Sequence, residues 1–160
     1  MNIKKHYITL NNYLKYRFNK KVYKIALNGN FTCPNRDGKI SKLGCLFCSE
    51  AGSGDFSGNK DYSFKDQFNE IKTMMKEKWE DGYYIAYLQA NTNTYDTIEN
   101  LRKKYYEIIS LDKDIKIFSI ATRPDCINEE IVQLLNEINQ KIEVWIELGF
   151  QTANEETGKF

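Results

Sequence analysis

Short apolar stretches alternate with longer amphipathic stretches along most of the chain. Four stretches of strand length are rich in β-branched and aromatic residues, and they cover residues 22–27, 83–88, 115–121 and 143–150. Between them, apolar residues recur at the three- and four-residue spacing of a helix that buries one face. These residues are Phe64, Phe68, Ile71, Met75 and Trp79, then Ile98, Leu101, Tyr105 and Ile108, and finally Ile131, Leu134, Leu135 and Ile138. The pattern predicts a β-α-β-α-β-α-β order.

Polar residues mark where the predicted helices begin. Ser63 with Asp66 and Asp96 with Glu99 have the form of capping boxes, and Asn128 precedes two glutamates. Strands and helices that alternate in this way form a parallel sheet through right-handed crossovers. The predicted fold class is therefore α/β with a parallel sheet of four strands.

The segments that contain candidate ligand-binding or catalytic residues directly follow the predicted strands. A cysteine-containing loop follows the first strand, and residues 89–94, 122–126 and 149–152 follow the other three. Because parallel strands end at the same edge of a sheet, folds of this kind collect their active sites there. We therefore expect one site at the carboxyl edge of the sheet.

Three cysteines in the loop after the first strand indicate a metal centre. Cys45 and Cys48 form a tight pair, and Cys33 lies upstream in the same loop. An iron–sulfur cube ordinarily uses four thiolates, so three protein ligands leave one metal position open to another group. The alternative is a closed zinc site, completed by Cys126, in a nucleic-acid-binding module without catalysis. Disulfides are disfavoured because the cysteines are clustered and no secretory signal precedes them.

Other residues near the cysteines carry weaker signals. Residues 51–58 are rich in glycine, but no strand directly precedes them as a dinucleotide fingerprint requires, so we expect a flexible loop that folds back beside the metal site. Phe47 lies between the paired cysteines and is expected to cover the metal site or to flank a planar base. The only histidine, His6, offers no zinc constellation and is expected at the surface.

The net charge of +1 conceals an uneven distribution along the chain. The first 36 residues contain eight bases and no acid, so the remainder carries a net charge of −7. The bases are Lys4, Lys5, Lys15, Arg17, Lys20, Lys21, Lys24 and Arg36, and aromatic residues interleave with them at Tyr7, Tyr13, Tyr16, Phe18 and Tyr23. This composition predicts a basic aromatic arm, residues 1–21, that contacts phosphates and stacks on unpaired RNA bases. The alternative is a lysine-rich helix with a solvated face.

Length and hydropathy place the chain among cytoplasmic proteins of one domain. The 160 residues contain no apolar run near the roughly 20 residues that span a bilayer. Residues 1–12 also lack the apolar stretch of a signal peptide. We therefore expect a soluble cytoplasmic protein.

Beyond the cysteines, several segments resemble the radical S-adenosylmethionine (SAM) superfamily. Residues 121–125 (Ala-Thr-Arg-Pro-Asp) and 147–152 (Glu-Leu-Gly-Phe-Gln-Thr) are similar to strand ends in the subgroup of the Elongator catalytic subunit, MiaB-type methylthiotransferases and NifB. Residues 33–38, 51–56 and 91–94 resemble in particular the bacterial YhcC/YtqA group. Residues 22–160 would then be the N-terminal part of a radical SAM core domain. The resemblance implies that this part is a partial (β/α) TIM-like barrel of the radical SAM type, truncated after about four strands.

This resemblance implies an enzyme with two cofactors. A [4Fe-4S] cluster on Cys33, Cys45 and Cys48 would bind SAM at its open iron and generate a 5′-deoxyadenosyl radical. The implied SAM contacts are Phe47 for the adenine, Gln89 and Asn91 for the amine, Gln151, and Thr122 or Glu147 in place of the ribose carboxylate that relatives carry at the position of Ala121.

The resemblance also implies partners. The substrate would be a tRNA wobble uridine, and a reductant such as flavodoxin or ferredoxin would supply the electron. Because relatives continue beyond a fourth strand, residues 144–150 would form an exposed apolar edge that a further C-terminal half or a partner covers.

Overall fold

The computed structural model describes residues 6–77 and 82–157 of the chain. Three residues used in the predictions above, Lys4, Lys5 and Trp79, lie outside the described residues. No described helix is both long enough and apolar enough to cross a membrane.

From the first strand onward, helices and strands alternate as the hydrophobic pattern predicts, and a further helix precedes that strand. The elements are α1 (Leu10–Phe18), β1 (Val22–Leu27), α2 (Phe64–Lys76), β2 (Tyr83–Leu88), α3 (Ile98–Ile109), β3 (Ile115–Thr122), a 3₁₀ turn (Pro124–Cys126), α4 (Glu129–Asn139) and β4 (Glu143–Leu148). The strands form one parallel sheet in the order β1-β2-β3-β4. This confirms the α/β class and is consistent with a partial β/α barrel.

Side-chain caps fix the starts of the crossover helices. Ser63 and Asn128 cap α2 and α4, as predicted. The prediction for α3 was wrong by one residue, since Thr97 rather than Asp96 is its N-cap. The Asp96 carboxylate instead accepts hydrogen bonds from the Thr97 N–H at 2.8 Å and the Asn100 Nδ2 at 2.9 Å.

The main core lies between the sheet and the helices α2, α3 and α4. Alternate strand residues point to this face, and the apolar stripes of the helices cover them. Its most buried members are Ile25, Leu27, Phe68, Ala86, Leu88, Leu101, Tyr105, Ile108, Phe118, Ile120, Leu134 and Ile138. This layer fixes the strand ends, and therefore the loops that follow them.

The helix α1 packs on the opposite face of the sheet. Leu14 joins a second cluster with Val22, Ile85 and Ile117. Arg17 Nη2 forms an ion pair of 2.6 Å with a Glu143 carboxylate oxygen on β4. The central part of the predicted arm is therefore a helix attached to the sheet. Among the described arm residues outside this helix, all except Thr9 are exposed.

The edge formed by β4 is apolar and open within the described part of the chain. β4 pairs with β3 on one side, and the described residues supply no strand on the other. Ile146 is 37% exposed and Leu148 is 52% exposed. The structure therefore shows the exposed apolar edge that the sequence predicts.

Candidate metal centre and surrounding site

The cysteine loop leaves β1 at the carboxyl edge of the sheet. Its first turn closes where the Cys33 carbonyl accepts hydrogen bonds from the N–H groups of Arg36 and Asp37, at 2.8 and 3.0 Å. Its last turn closes where the Cys45 carbonyl accepts the Cys48 N–H at 3.0 Å. All three cysteines are free and half-buried, so their sulfur atoms remain available as ligands.

Polar side chains already contact two of the sulfur atoms. Asn35 Nδ2 donates to Cys45 Sγ at 2.9 Å, while Cys48 Sγ and Ser53 Oγ lie 3.3 Å apart. The other amide atom of Asn35, Oδ1, is buried and has no partner within the described chain. Hydrogen bonds to sulfur stabilise a thiolate and tune the metal that it holds.

The loop supplies the right donors for a metal but does not gather them. Among residues 6–77 and 82–157, no three side chains of His, Cys, Asp or Glu lie close enough together to hold a metal ion. This applies equally to the three-cysteine set and to the zinc set that includes Cys126. The donor chemistry fits a thiolate-bound cluster, because the thiols are free and the Asn35 side-chain amide donates to Cys45 Sγ. Binding of such a cluster would have to draw the three thiols together.

Cys126 lies in the 3₁₀ turn after β3, close enough to Cys33 for their charges to interact. Burial raises the pKa of the Cys126 thiol, and the neighbouring Asp125 carboxylate raises it further. Arg123 holds the Asp125 carboxylate in a bidentate pair at 2.7 and 2.9 Å. Cys126 is therefore a thiol at neutral pH.

The glycine-rich segment folds back onto the ends of two strands. The Gly58 N–H donates to the Ala26 carbonyl of β1 at 2.9 Å, and the Asn91 N–H beyond β2 donates to the Gly52 carbonyl at 2.8 Å. Gly52 has φ +61°, and a Cβ there would lie 1.9 Å from Asn91 Oδ1. The segment lies beside the cysteines as predicted, and backbone hydrogen bonds hold it in place.

Asn93 joins the ends of β2 and β3. Its side chain is fully buried, and Nδ2 donates to the carbonyls of Leu88 and Ala121 at 3.2 and 2.8 Å. The Tyr105 hydroxyl of α3 donates to the Asn93 carbonyl at 2.5 Å. Asn93 Oδ1 has no partner among the described residues. Asn93 therefore sets the spacing of the two strand ends that border the cysteine loop.

Threonines extend this network to the other loops. The Thr94 hydroxyl donates to the Cys126 carbonyl at 2.6 Å and lies 2.6 Å from the Thr122 hydroxyl. The Thr92 N–H donates to the Thr32 carbonyl, directly before Cys33, at 3.2 Å. The hydroxyl of Thr122 is buried and engaged with Thr94, so Thr122 has a structural role whether or not it contacts SAM.

The remaining predicted SAM contacts have free side chains at this edge. Gln89 and Asn91 are half-buried where β2 ends, and Gln151 is exposed beyond β4. Their side-chain amides have no hydrogen-bond partner among the described residues. Phe47 is 62% exposed between the paired cysteines. These four side chains are therefore available to a ligand at the carboxyl edge.

Glu147 lies in a polar cluster on the α1 face of the sheet. Its Oε1 accepts hydrogen bonds from Lys24 Nζ at 2.7 Å and from Ser119 Oγ at 2.8 Å. Lys24 Nζ also lies 3.7 Å from the centroid of the Tyr87 ring. Lys24 and Glu147 belong to the outer strands, which would be about 14 Å apart in a flat sheet. Their ion pair is consistent with a sheet that curves around this face.

The cluster has defined protonation states. Burial raises the pKa of Glu147, but hydrogen bonds from Lys24 and Ser119 outweigh it and hold that pKa below the ordinary value of 4.5. Burial, together with the charge of Glu147, raises the pKa of Tyr87 to about 12. At neutral pH the cluster therefore contains a carboxylate beside a neutral phenol.

Lys24 is a candidate site residue that the sequence analysis missed, because it was considered only as one of the bases in the first 36 residues. The available signal was strand alternation in residues 22–27, which places Lys24 on the same face as Val22 and Ala26. A lysine on an inward strand face needs a partner.

Replacing Glu147 by glutamine should make the stability difference from the parent depend on pH. A carboxylate whose pKa is lowered on folding stabilises the protein above its unfolded pKa, and this contribution disappears as the pH falls through the folded pKa. We expect urea unfolding to show a larger difference between parent and Glu147→Gln at pH 7 than at pH 3. A difference that is the same at both values would contradict the assigned ion pair.

The chain is related to longer proteins from bacteria and an archaeon. It is 51% identical over 156 residues to YtqA of Bacillus subtilis, covering 98% of the chain and 48% of YtqA. It is 37% identical over 142 residues to YhcC of Escherichia coli, covering 88% of the chain and 44% of YhcC. It is 32% identical over 149 residues to MJ0486 of Methanocaldococcus jannaschii, covering 91% of the chain and 44% of that protein.

The homology covers most of this chain but less than half the length of each of these relatives. No protein-family profile matches the chain, and no solved structure matches it. The comparisons therefore support a relationship to YtqA and YhcC and name no activity.

Proposed function

We propose that this relative of YtqA and YhcC forms the cluster-binding part of a radical SAM enzyme. The observation that carries the proposal is the cysteine loop: three free thiols at the carboxyl edge of a parallel sheet, one of which already accepts an amide hydrogen bond. Three thiolates suit a cluster with one open iron. The resemblance of residues 33–38, 51–56 and 91–94 to the YhcC/YtqA group supports the same assignment.

In this proposal Cys33, Cys45 and Cys48 hold the [4Fe-4S] cluster. When bound, the cluster and SAM supply a one-electron reduction and a carbon radical that abstracts hydrogen from the substrate. The side chain of Asn35 stabilises the negative charge on the Cys45 sulfur.

Other residues of the chain bind and orient SAM. The side-chain amides of Gln89 and Asn91, which are half-buried, would meet its methionyl amine, and the exposed Gln151 would make a further contact with the cofactor. The ring of Phe47, which is exposed, would lie beside its adenine. Of the two residues predicted near the ribose, we favour Glu147 because its side chain is partly exposed, although its Oε1 accepts from Lys24 and Ser119. The Thr122 side chain is buried and its hydroxyl is engaged with Thr94.

We propose a tRNA wobble uridine as the substrate and a flavodoxin- or ferredoxin-type reductant as the electron donor. The resemblance and the basic, aromatic-rich first 36 residues support the RNA assignment. The chain spans less than half the length of YtqA and of YhcC. In this proposal the complete reaction therefore requires a protein of that full length. The open β4 edge is the place where a further segment or a partner would join the sheet.

Anaerobic reconstitution with iron and sulfide tests the proposal. We expect a brown protein with about four irons and four sulfides per chain, as one [4Fe-4S] cluster requires. Addition of SAM and dithionite should then yield 5′-deoxyadenosine, measured by chromatography, and omission of dithionite should abolish it. The 5′-deoxyadenosine assay is most informative when it is repeated on a protein of the full length of the relatives. A colourless protein that retains one zinc ion after the same treatment would instead favour the nucleic-acid-binding module.

A further inference from the structure

A basic recess of about 370 Å³ lies between the start of α2 and the helix α3, outside the cysteine loop. Residues 28–30, which follow β1, form part of its wall. Tyr62, directly before the cap of α2, contributes an aromatic ring that is 52% exposed. Three lysines also line it: Lys60, Lys103 and Lys104.

Two of these lysines are free to bind a ligand. Lys60 and Lys103 are exposed, and neither ammonium group has an ion pair or hydrogen bond among the described residues. Lys104 Nζ is paired with Asp96 at 3.1 Å and lies 4.0 Å from the centroid of the Phe31 ring. Among the described residues that line this recess, Glu107 is the only acid. The recess therefore has an excess of positive charge.

The other side of α3 has the opposite charge. The groove between α3 and α4 is lined by Arg102 and by four acids, Asp96, Glu99, Glu130 and Glu137. Arg102 is already paired with Glu137. An anion that approaches α3 is therefore attracted to the α2 side and repelled from the α4 side.

A buried glutamine fixes the shape of the recess. Gln67 is 1% exposed, and its Nε2 donates to the carbonyls of Asn28 and Tyr62 at 3.1 and 3.0 Å. Its Oε1 accepts the Asn28 N–H at 2.8 Å. The two walls of the recess are thus connected through one side chain, and the position of Tyr62 relative to β1 is set before any ligand binds.

The recess lies next to the candidate metal centre. Asn30, in its lining, is three residues before Cys33, so the two Cα atoms are at most about 11 Å apart even in a fully extended chain. If a polymer binds in the recess, the monomer next to the bound one can therefore reach the cysteine loop.

We propose that this recess binds the backbone of single-stranded RNA, with Lys60 and Lys103 on phosphates and the Tyr62 ring stacked on an unpaired base. Unpaired cations beside an exposed ring are the combination that binds single strands, because phosphates need charge and every base has a π-face. The inference rests on the proposed RNA substrate but not on the cluster. It also adds a phosphate contact surface outside the predicted arm.

RNA binding by the full chain tests the assignment, with a fluorescein-labelled anticodon stem–loop RNA as the probe and fluorescence anisotropy as the readout. The double variant Lys60→Gln/Lys103→Gln should bind about 10-fold more weakly at low salt and lower the slope of log K against log [salt] by about 1.4, because two single-strand phosphate contacts are lost. The matched control is Lys113→Gln/Lys141→Gln, which removes two exposed lysines just before β3 and β4, at the opposite edge of the sheet. It should leave affinity and slope near those of the parent.

A third variant separates stacking from charge. Tyr62→Leu should weaken binding about 5-fold or more without changing the slope, because it removes a ring and no charge. The proposal would be overturned if both double lysine variants lost RNA affinity equally, or if Lys60→Gln/Lys103→Gln lost none. Tight competition by free UMP would also overturn it, since the recess would then hold a mononucleotide. Iron and sulfide content is measured on the same samples, so failure of the cluster and failure of the recess are seen separately.

Discussion

Replacement of Cys45 by alanine is expected to leave the anaerobically reconstituted protein colourless. The variant keeps only Cys33 and Cys48, and two thiolates are too few to hold an iron–sulfur cube. Iron and sulfide content should therefore fall to background. Formation of 5′-deoxyadenosine should disappear with them. The measurements are the visible absorption spectrum, iron and sulfide analysis, and chromatography of the reaction with SAM and dithionite.

Cys126→Ala is the matched control for this prediction. Cys126 is a half-buried thiol whose pKa is raised by burial and by Asp125, and it is outside the three-cysteine set. We expect this variant to keep its colour and its iron. If Cys45→Ala and Cys126→Ala instead lost bound zinc to the same extent, all four cysteines would be ligands and the site would be structural.

Replacement of Asn93 by aspartate is expected to destabilise the fold strongly with almost no change in side-chain shape. Asn93 Nδ2 donates to the Leu88 and Ala121 carbonyls in a fully buried position. A carboxylate removes both donors and places a charge against two carbonyl oxygens. The free energy of unfolding should fall by roughly 3–5 kcal/mol, measured by urea denaturation followed by circular dichroism.

Asn59→Asp is the matched control. It makes the same chemical change at a position where the side-chain amide nitrogen donates no hydrogen bond within the described residues. Asn59 is exposed, and its Oδ1 accepts the Asp61 N–H at 3.0 Å, which a carboxylate does equally well. Its stability should stay within about 0.5 kcal/mol of the parent. If Asn93→Asp were equally mild, the Asn93 side chain would not be what joins β2 and β3.

Local sequence rules were sufficient for the four strands and the three helices between them, but they did not identify α1, whose residues were predicted to be part of an arm. The strand β1 has the predicted bounds of 22–27, because alternation and β-branched residues act over a few positions. β4 ends at Leu148, before the predicted end at residue 150, since pairing with β3 stops there. The cap of α3 was misplaced because Asp96 and Thr97 are both good N-caps, and local sequence alone does not choose between them.

The candidate site was predictable only in part. The cysteine spacing places the thiols in one loop, and parallel topology places that loop beside residues 89–94. Their hydrogen bonds were not predictable, because the Asn93 and Gln67 contacts join segments that are distant along the chain. The association of Lys24 with Glu147 was missed for the same reason.

The sequence by itself determined the order of helices and strands from β1 onward, the carboxyl edge where the loops meet, and the position of three thiols in one of those loops. These follow from periodicity and from residue types within short windows. Only the tertiary structure decided that α1 packs on the sheet, that Lys24 reaches Glu147 across four strands, and that Tyr62 lies beside two free lysines. Such contacts depend on how the sheet curves and how crossover helices pack, and these are properties of the whole chain.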